Sequence, residues 1–217
     1  MIINKNDFIE LEFTGFSNGE MFDTTDKKEA KEMGLDADVK PIIISVGNGM
    51  LLKGFDDSLE GKELGKRYSI KLSPDKAFGP RNPKLIKTMP MGVFIEKKMN
   101  PYPGMTLQMD NYIAKVLSVS GGRVIVDFNN PLAGKEIEYS FMINKKIDDD
   151  KEKIDSLMDF FLKQRFDFEI MDKKVIFKDE KVKPFIEIFK QRFKDMTGIE
   201  FETIKQEKHE DERKNLT

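Results

Sequence analysis

The chain has no cysteine, no tryptophan and a single histidine, His209, among its 217 residues. Each absence removes a class of chemistry. Without thiols there is no disulfide and no thiolate nucleophile, and one imidazole cannot build a zinc site of Cys/His type. The usual general base of nucleophilic hydrolases is missing as well, because His209 lies in a polar tail. No Gly-x-Ser-x-Gly turn and no Walker-type phosphate loop occur, and Gly47-Asn48-Gly49 lacks a third glycine at the dinucleotide spacing. The run Asp148-Asp149-Asp150 lacks the spacing of a calcium loop and reads as a solvated joint. No metal and no cofactor are therefore expected. Apolar runs of membrane-spanning length are also absent, and residues 1–8 are too polar for a secretory signal, so the expected setting is the cytoplasm, away from membranes. Nor is there an excess charge of one sign. Lys and Arg number 37 against 39 Asp and Glu, a net charge of -2, which argues against nucleic acid as the main partner.

What remains is enough for a real core. Hydrophobic residues make up 39% of the chain, and 18 phenylalanines supply the bulk that tryptophan does not. Residues 8–13 alternate, with Ile9, Leu11 and Phe13 on one face and Glu10 and Glu12 on the other, the pattern of a half-buried strand. Residues 26–33 favour a short helix stopped at Gly34, and residues 42–46 form a β-branched run that reads as a buried strand. Residues 55–59 predict one short helix ending at Gly61, and residues 67–72 alternate again. After Gly79 the composition changes. Prolines at 80, 83, 90, 101 and 103 break the chain, and Met89, Met91, Met99, Met105 and Met109 concentrate there. Two strand-like runs, 113–119 and 123–128, flank Gly121-Gly122, a strong hairpin signal. Residues 136–143 return to alternation. Beyond the aspartate run, helical stripes over 154–162 and 185–196 enclose a hairpin about 171–174, and a last strand follows over 199–203. That C-terminal order is αββαβ-like.

Several scattered elements thus deliver apolar side chains: Phe13 on a strand, Phe22-Asp23 after a turn, Leu51-Leu52 in a glycine-flanked loop, Phe55 at a helix start and Phe78 after a Pro-containing loop. An apolar pocket with one carboxylate and free loop N–H groups is no hydrolytic site. It suits a reaction in which no bond breaks.

Four motifs carry a resemblance. Leu11-Glu12-Phe13-Thr14-Gly15 with Phe22-Asp23-Thr24-Thr25, Val46 to Phe55 with its Gly47, Leu51, Leu52 and Gly54, and Leu72-Ser73-Pro74-Asp75-Lys76-Ala77-Phe78-Gly79 resemble, in order and spacing, the signatures of FKBP-type peptidyl-prolyl cis–trans isomerases. About 50 residues then intervene before Asn130-Pro131-Leu132-Ala133-Gly134-Lys135, a pattern similar to the SlyD subgroup and to the long archaeal members, in which a domain replaces the flap loop.

The resemblance implies an α+β fold: an antiparallel β half-barrel over a short helix, formed by residues 1–83 and 130–148. A small β-rich domain, 84–129, is inserted in the flap, and a C-terminal αββαβ-like domain covers 149–217. It implies a pocket in which Phe13, Asp23, Leu51, Leu52, Phe55, Phe78 and Tyr139 serve catalysis. Phe22, Ile42 and Leu132 would complete its walls, and the Leu52 N–H would bond a substrate carbonyl. The family often has Tyr where this chain has Phe13 and Phe78, so those hydroxyls are gone. The implied partners are unfolded or proline-containing polypeptides. In the insert, Met91, Phe94, Ile95, Met99 and Met105 read either as filler of a small core or as an adaptable apolar surface for such chains. The C-terminal unit is small for independent stability, and docking or a homodimer through it is expected. The competing reading is a peptide-binding holdase on an inactive scaffold.

Overall fold

The computed structural model describes residues 1–34, 39–109 and 112–203; His209 and the charged tail after Gln206 lie outside them. Its fold is α+β with mainly antiparallel sheets. The alternation of residues 8–13 becomes the first half of β1 (Phe8–Ser17). Ile9, Leu11 and Phe13 are buried, while Glu10 and Glu12 face outward toward Lys145 and Arg67. Along its whole length β1 pairs antiparallel with β9 (Ile137–Ile147), which pairs in turn with β4 (Arg67–Leu72). The other edge of β1 is shared by two strands. β3 (Ile42–Ser45) takes Phe8 to Leu11, and β2 (Glu20–Thr24) takes Thr14 to Ser17. Strand β2 is only five residues long, and the pattern of the sequence shows just the turn before it.

Between β2 and β4 in the chain lie two helices. Helix α1 (Lys27–Glu32) is capped by Asp26, whose carboxylate accepts from the N–H groups of Lys28 and Glu29. Helix α2 (Lys53–Leu59) lies on the sheet with Phe55 and Leu59 fully buried. Gly54 lets it approach closely: a Cβ there would stand 2.8 Å from Leu72 Cδ2 and 2.9 Å from the Lys76 carbonyl oxygen. Burying a side chain of the size of Phe55 is worth about 1.5–3 kcal/mol, which anchors the helix despite its two turns.

The Met/Pro-rich segment forms its own four-stranded antiparallel sheet. In chain order it comprises β5 (Ile86–Pro90), α3 (Met91–Glu96), β6 (Thr106–Met109), β7 (Tyr112–Ser120) and β8 (Arg123–Asp127), with sheet order β5-β8-β7-β6. Gly121 and Gly122, both at positive φ, make the β7–β8 turn. Its separate core is Phe94, Leu107, Met109, Ala114, Val116, Val124 and Val126. The two chain crossings to the main sheet are stapled together. Arg81 pairs with Asp127, the Asn129 amide donates to Asp127 (2.7 Å) and to the Asn82 carbonyl (3.0 Å), and Gly134 N–H donates to the Gly79 carbonyl (2.8 Å).

The C-terminal part is α4 (Asp150–Leu157), a wider helical turn over Met158–Leu162, β10 (Phe168–Met171), β11 (Lys174–Phe177), α5 (Lys183–Thr197) and β12 (Glu200–Thr203). Asp149, from the aspartate run, caps α4 by accepting from the Glu152 N–H. β10 and β11 form a hairpin, and α5 carries the chain back so that β12 lies parallel to β11. Its core residues, among them Ile154, Phe177, Phe193 and Phe201, belong to the same hydrophobic cluster as Ile3, Ile44 and Phe55, with α4 against β3. The unit is docked within its own chain. No helix among the described residues is long and apolar enough to cross a membrane.

Candidate functional site

Phe13 sits where β2 and β3 part from the edge of β1, and the backbone there is held by a short turn. Its N–H donates to Thr25 Oγ1 (2.8 Å), and its carbonyl accepts the Thr25 N–H (2.8 Å). The ring of Phe13 meets Phe55 of α2 edge-on at 5.6 Å and Tyr139 of β9 at 5.7 Å. Tyr139 stacks on Phe55 at 4.4 Å with 19° between the planes. Phe22 continues the chain of rings, 5.9 Å from Tyr139 and 5.9 Å from Phe78. Aromatic pairs prefer these edge-on and offset arrangements, each worth roughly 0.5–1.5 kcal/mol beyond its buried area. Residues separated by up to 126 positions in the chain thus form one aromatic cup. Phe13, Phe55 and Tyr139 are its buried floor, while Phe22 and Phe78 are half-buried at its rim.

The cup has one acidic edge. In register, Gly15 lies opposite Asp23 on β2 and opposite Tyr139 on β9, so the three form a row across the sheet. Gly15 is needed for close approach: a Cβ there would stand 2.7 Å from Phe22 Cζ and 2.8 Å from Tyr139 Cε1. Asp23 as a whole residue is exposed, yet its carboxyl is partly shielded, and this burial pushes its pKa up against the lowering effect of a hydrogen bond from the Thr24 backbone. Burial also pushes the Tyr139 phenol up, and the negative charge of Asp23 adds to that shift. Tyr139 is therefore a neutral hydroxyl in the ordinary pH range, directed to the side where Asp23 lies.

Leu51 and Leu52 enter on the loop before α2. Asp56, buried in the first turn of that helix, shapes this loop by accepting from the Gly47 N–H (2.7 Å) and the Gly49 N–H (2.8 Å). Among the described residues, no acceptor is hydrogen-bonded to the Leu52 N–H. Leu51, Leu52, Ile42 and Leu132 are all half-buried against the main core, and the Gly134–Gly79 bond ties the Leu132 turn to the loop that carries Phe78.

The insert residues are placed elsewhere. Met91, Met99 and Met105 are half-buried against the core of the insert, and Ile95 is 65% exposed. Phe94 is fully buried at 0%: α3 turns it into the core of the insert with Val116, Val124 and Val126, which corrects its reading as surface and agrees with its alternative reading as filler of a small core. Residues that the sequence pattern passed over are Tyr102, Tyr112, Ile113 and Leu117, all exposed on the insert. The signal for the last two was present, since β7 carries apolar residues on both alternating faces while only one face has a core to fill. The sequence pattern marks Gly15 as a motif residue without its packing role, and gives no sign of the Asp56 bonds or the Arg81–Asp127 pair.

Comparison with known proteins places the chain among prolyl isomerases. The model of the FKBP-type peptidyl-prolyl cis-trans isomerase family matches residues 2–94, and that of the FKBP26 IF domain matches residues 87–132. The chain is 30% identical over 145 residues to a short-type peptidyl-prolyl cis-trans isomerase of Methanocaldococcus jannaschii, covering 92% of that protein and 65% of this one. It is 28% identical over 147 residues to a probable FKBP-type 16 kDa peptidyl-prolyl cis-trans isomerase of Pseudomonas fluorescens, covering 89% of it and 65% of this chain. It is also 28% identical over 105 residues to the SlyD isomerase of Haemophilus influenzae, covering 55% of that protein and 46% of this one.

Proposed function

Because the chain belongs to the FKBP-type peptidyl-prolyl cis–trans isomerase family, we propose that it catalyses rotation about X–Pro bonds in the aromatic cup and holds unfolded polypeptide on the inserted domain while it does so. The observation that carries the first half is the continuous set of rings at 13, 55, 139, 22 and 78, with Asp23 in one row with Tyr139 across the sheet.

The chemistry needs no nucleophile. Resonance holds the peptide bond planar with a barrier of about 18–20 kcal/mol, and X–Pro bonds isomerise unaided in tens to hundreds of seconds. The planar amide separates charge and is favoured by water. A cup floored by Phe13, Phe55 and Tyr139 removes that water, which weakens the partial double bond of the planar form. The twisted form is less polar across the amide and loses less. The cup thereby favours the transition state over the ground state with no covalent step. In this reading Phe22, Ile42, Leu51, Phe78 and Leu132 wall the proline ring and its neighbours. The Leu52 N–H holds a substrate carbonyl. Asp23 orients the twisting amide by its charge, and the Tyr139 hydroxyl stands near it as a neutral donor.

The second half rests on the insert's exposed apolar side chains, of which Ile95 and Ile113 are 65% and 63% exposed. Ile95 with Met91, Met99 and Met105 offers a surface that adapts to irregular partners, while Ile113 and Leu117 lie on the other face of the sheet. Phe94 supports that surface from beneath. Holding a chain beside the cup raises the local concentration of its prolines. The junction bonds of Arg81, Asp127 and Asn129 keep that surface at a fixed place relative to the cup. We also propose that Phe185 and Ile188, exposed on α5, mark the face through which the C-terminal unit would form a homodimer.

A protease-coupled tetrapeptide assay tests the catalytic half: wild type should exceed the uncatalysed rate, and Asp23→Ala and Phe78→Ala should fall well below wild type. Replacing residues 84–129 by a short turn tests the other half. Tetrapeptide turnover should persist while catalysed refolding of a proline-limited protein is impaired, and equal refolding would remove the insert from the account. Sedimentation of wild type against an Ile188→Lys variant decides the dimer.

A further inference from the structure

The loop 47–52, which carries Leu51, Leu52 and the Leu52 N–H, is gripped from three sides. Two of the grips are local. The Asp56 carboxylate accepts from the Gly47 and Gly49 N–H groups, and the Asn48 side-chain amide donates to Ser45 Oγ (2.8 Å), the Val46 carbonyl (3.1 Å) and Asn6 Oδ1 (3.1 Å). The third comes from the C-terminal unit, 144 positions away: the Arg192 guanidinium of α5 donates to the Asn48 carbonyl. The same guanidinium lies over the Phe161 ring, 4.6 Å from its centroid, and Phe161 is itself packed on Phe189 (5.2 Å) and Phe193 (5.4 Å). Gly49, at a φ of +67° that favours glycine, makes the turn of the loop beside it. Arg192 is thus stacked on an aromatic cluster while its guanidinium makes a charge-assisted hydrogen bond to a backbone carbonyl of the loop.

We propose that Arg192 is a positioning residue for the isomerase cup: it fixes the 47–52 loop, so that Leu52 presents its N–H and Leu51 its side chain, and the C-terminal unit is thereby part of the substrate-binding assembly. This rests on the reading of the cup as the prolyl-peptide site. The bond to a substrate carbonyl forms on binding and persists through rotation, so loosening the loop weakens ground state and transition state alike. Such a loss appears in KM and leaves kcat unchanged.

The test uses the full chain with Arg192→Ala and Arg192→Lys. Lineshape analysis of a labelled prolyl peptide gives kcat and KM separately, thermal unfolding gives stability, and amide hydrogen exchange reports on residues 47–52. For Arg192→Ala we expect a rise in KM of about three- to tenfold, the size of one ordinary hydrogen bond to substrate made less available, with kcat unchanged. The melting temperature should fall by only about 2–4 °C, and exchange at Asn48 to Leu52 should quicken. Arg192→Lys, which keeps a charged donor, should recover part of the KM. Unchanged KM with unchanged exchange would overturn the proposal. So would a fall in melting temperature and kcat together that Lys does not restore, which is the mark of general damage. Failure of the cup reading is distinguishable: wild type would then be inactive, while the exchange comparison would still decide whether Arg192 holds the loop.

Discussion

Replacing Gly15 by alanine adds one methyl group at the tightest point of the cup. The backbone there is not in the left-handed region, so the substitution costs no conformational strain. Its entire effect is steric. The new Cβ would stand 2.7 Å from Phe22 Cζ and 2.8 Å from Tyr139 Cε1, short of the roughly 3.5 Å at which carbon atoms attract. Tyr139 cannot retreat, because its other face is stacked on Phe55 and it is 4% exposed. Phe22 is half-buried at the rim and can swing outward by somewhat under 1 Å. Overpacking of this kind costs about 1–3 kcal/mol, and because the movement of Phe22 does not relieve the contact with the fixed Tyr139 ring, Gly15→Ala lies toward the upper end, ~3 kcal/mol. The movement parts Phe22 from Phe78 and opens the rim. A displacement approaching 1 Å in a positioning wall can cost up to about a hundredfold in rate, and we expect about tenfold in kcat/KM, or ~1.4 kcal/mol of transition-state binding. Chemical denaturation and the tetrapeptide assay measure the two effects separately. Loss of stability with unchanged kcat/KM would mean that the Phe22–Tyr139 wall is structural only. Unchanged stability would mean that the packing argument itself is wrong.

The pKa of Asp23 is raised by burial, so its charged form is disfavoured in the folded state, and folding gains stability as pH falls through the raised value. If the charge orients the amide, kcat/KM falls over that same range; a pH profile should show an acidic limb above the usual carboxylate range that Asp23→Asn lacks. Burial alone would raise the Asp127 carboxyl, but the backbone and side-chain hydrogen bonds from Asn129 and the pair with Arg81 outweigh it and hold it low. Its contribution to stability is therefore present above the ordinary carboxylate value and lost as pH falls through the lowered one. Asp127→Ala should destabilise the junction by about 1–3 kcal/mol at neutral pH, read by denaturation, and quicken amide exchange at Asn82 and Asn129.

Much of the cup was legible because its residues lie in short, ordered motifs. Phe13, Phe22, Phe55 and Phe78 each sit at a fixed place beside a turn, a glycine or a proline, and the structure brings their rings together with Tyr139. What the sequence could not reveal depends on registers between distant strands. That Gly15 separates Asp23 from Tyr139 follows from pairing β1 with both β2 and β9. No local pattern announces it. Strand β2 is too short for alternation to register. Helix α3 follows Pro90 without a polar cap and contains Gly92 and Val93, so its sequence does not look helical, and the sequence leaves the direction of Phe94 open. The αββαβ order at the C-terminus was read from periodicity, but the parallel placement of β12 on β11 is decided by how α5 packs. The docking of that unit through Arg192 and α4 is likewise a matter of surfaces.

The central claim is that prolyl rotation takes place in this cup. An isotope-labelled proline peptide titrated into the 217-residue chain gives the exchange rate between cis and trans and the positions it touches in one experiment. The account predicts exchange faster than the free peptide, with chemical-shift changes concentrated at Phe13, Asp23, Leu52, Phe78 and Tyr139. Exchange at the unassisted rate, or changes confined to the insert and the far side of the sheet, would contradict it.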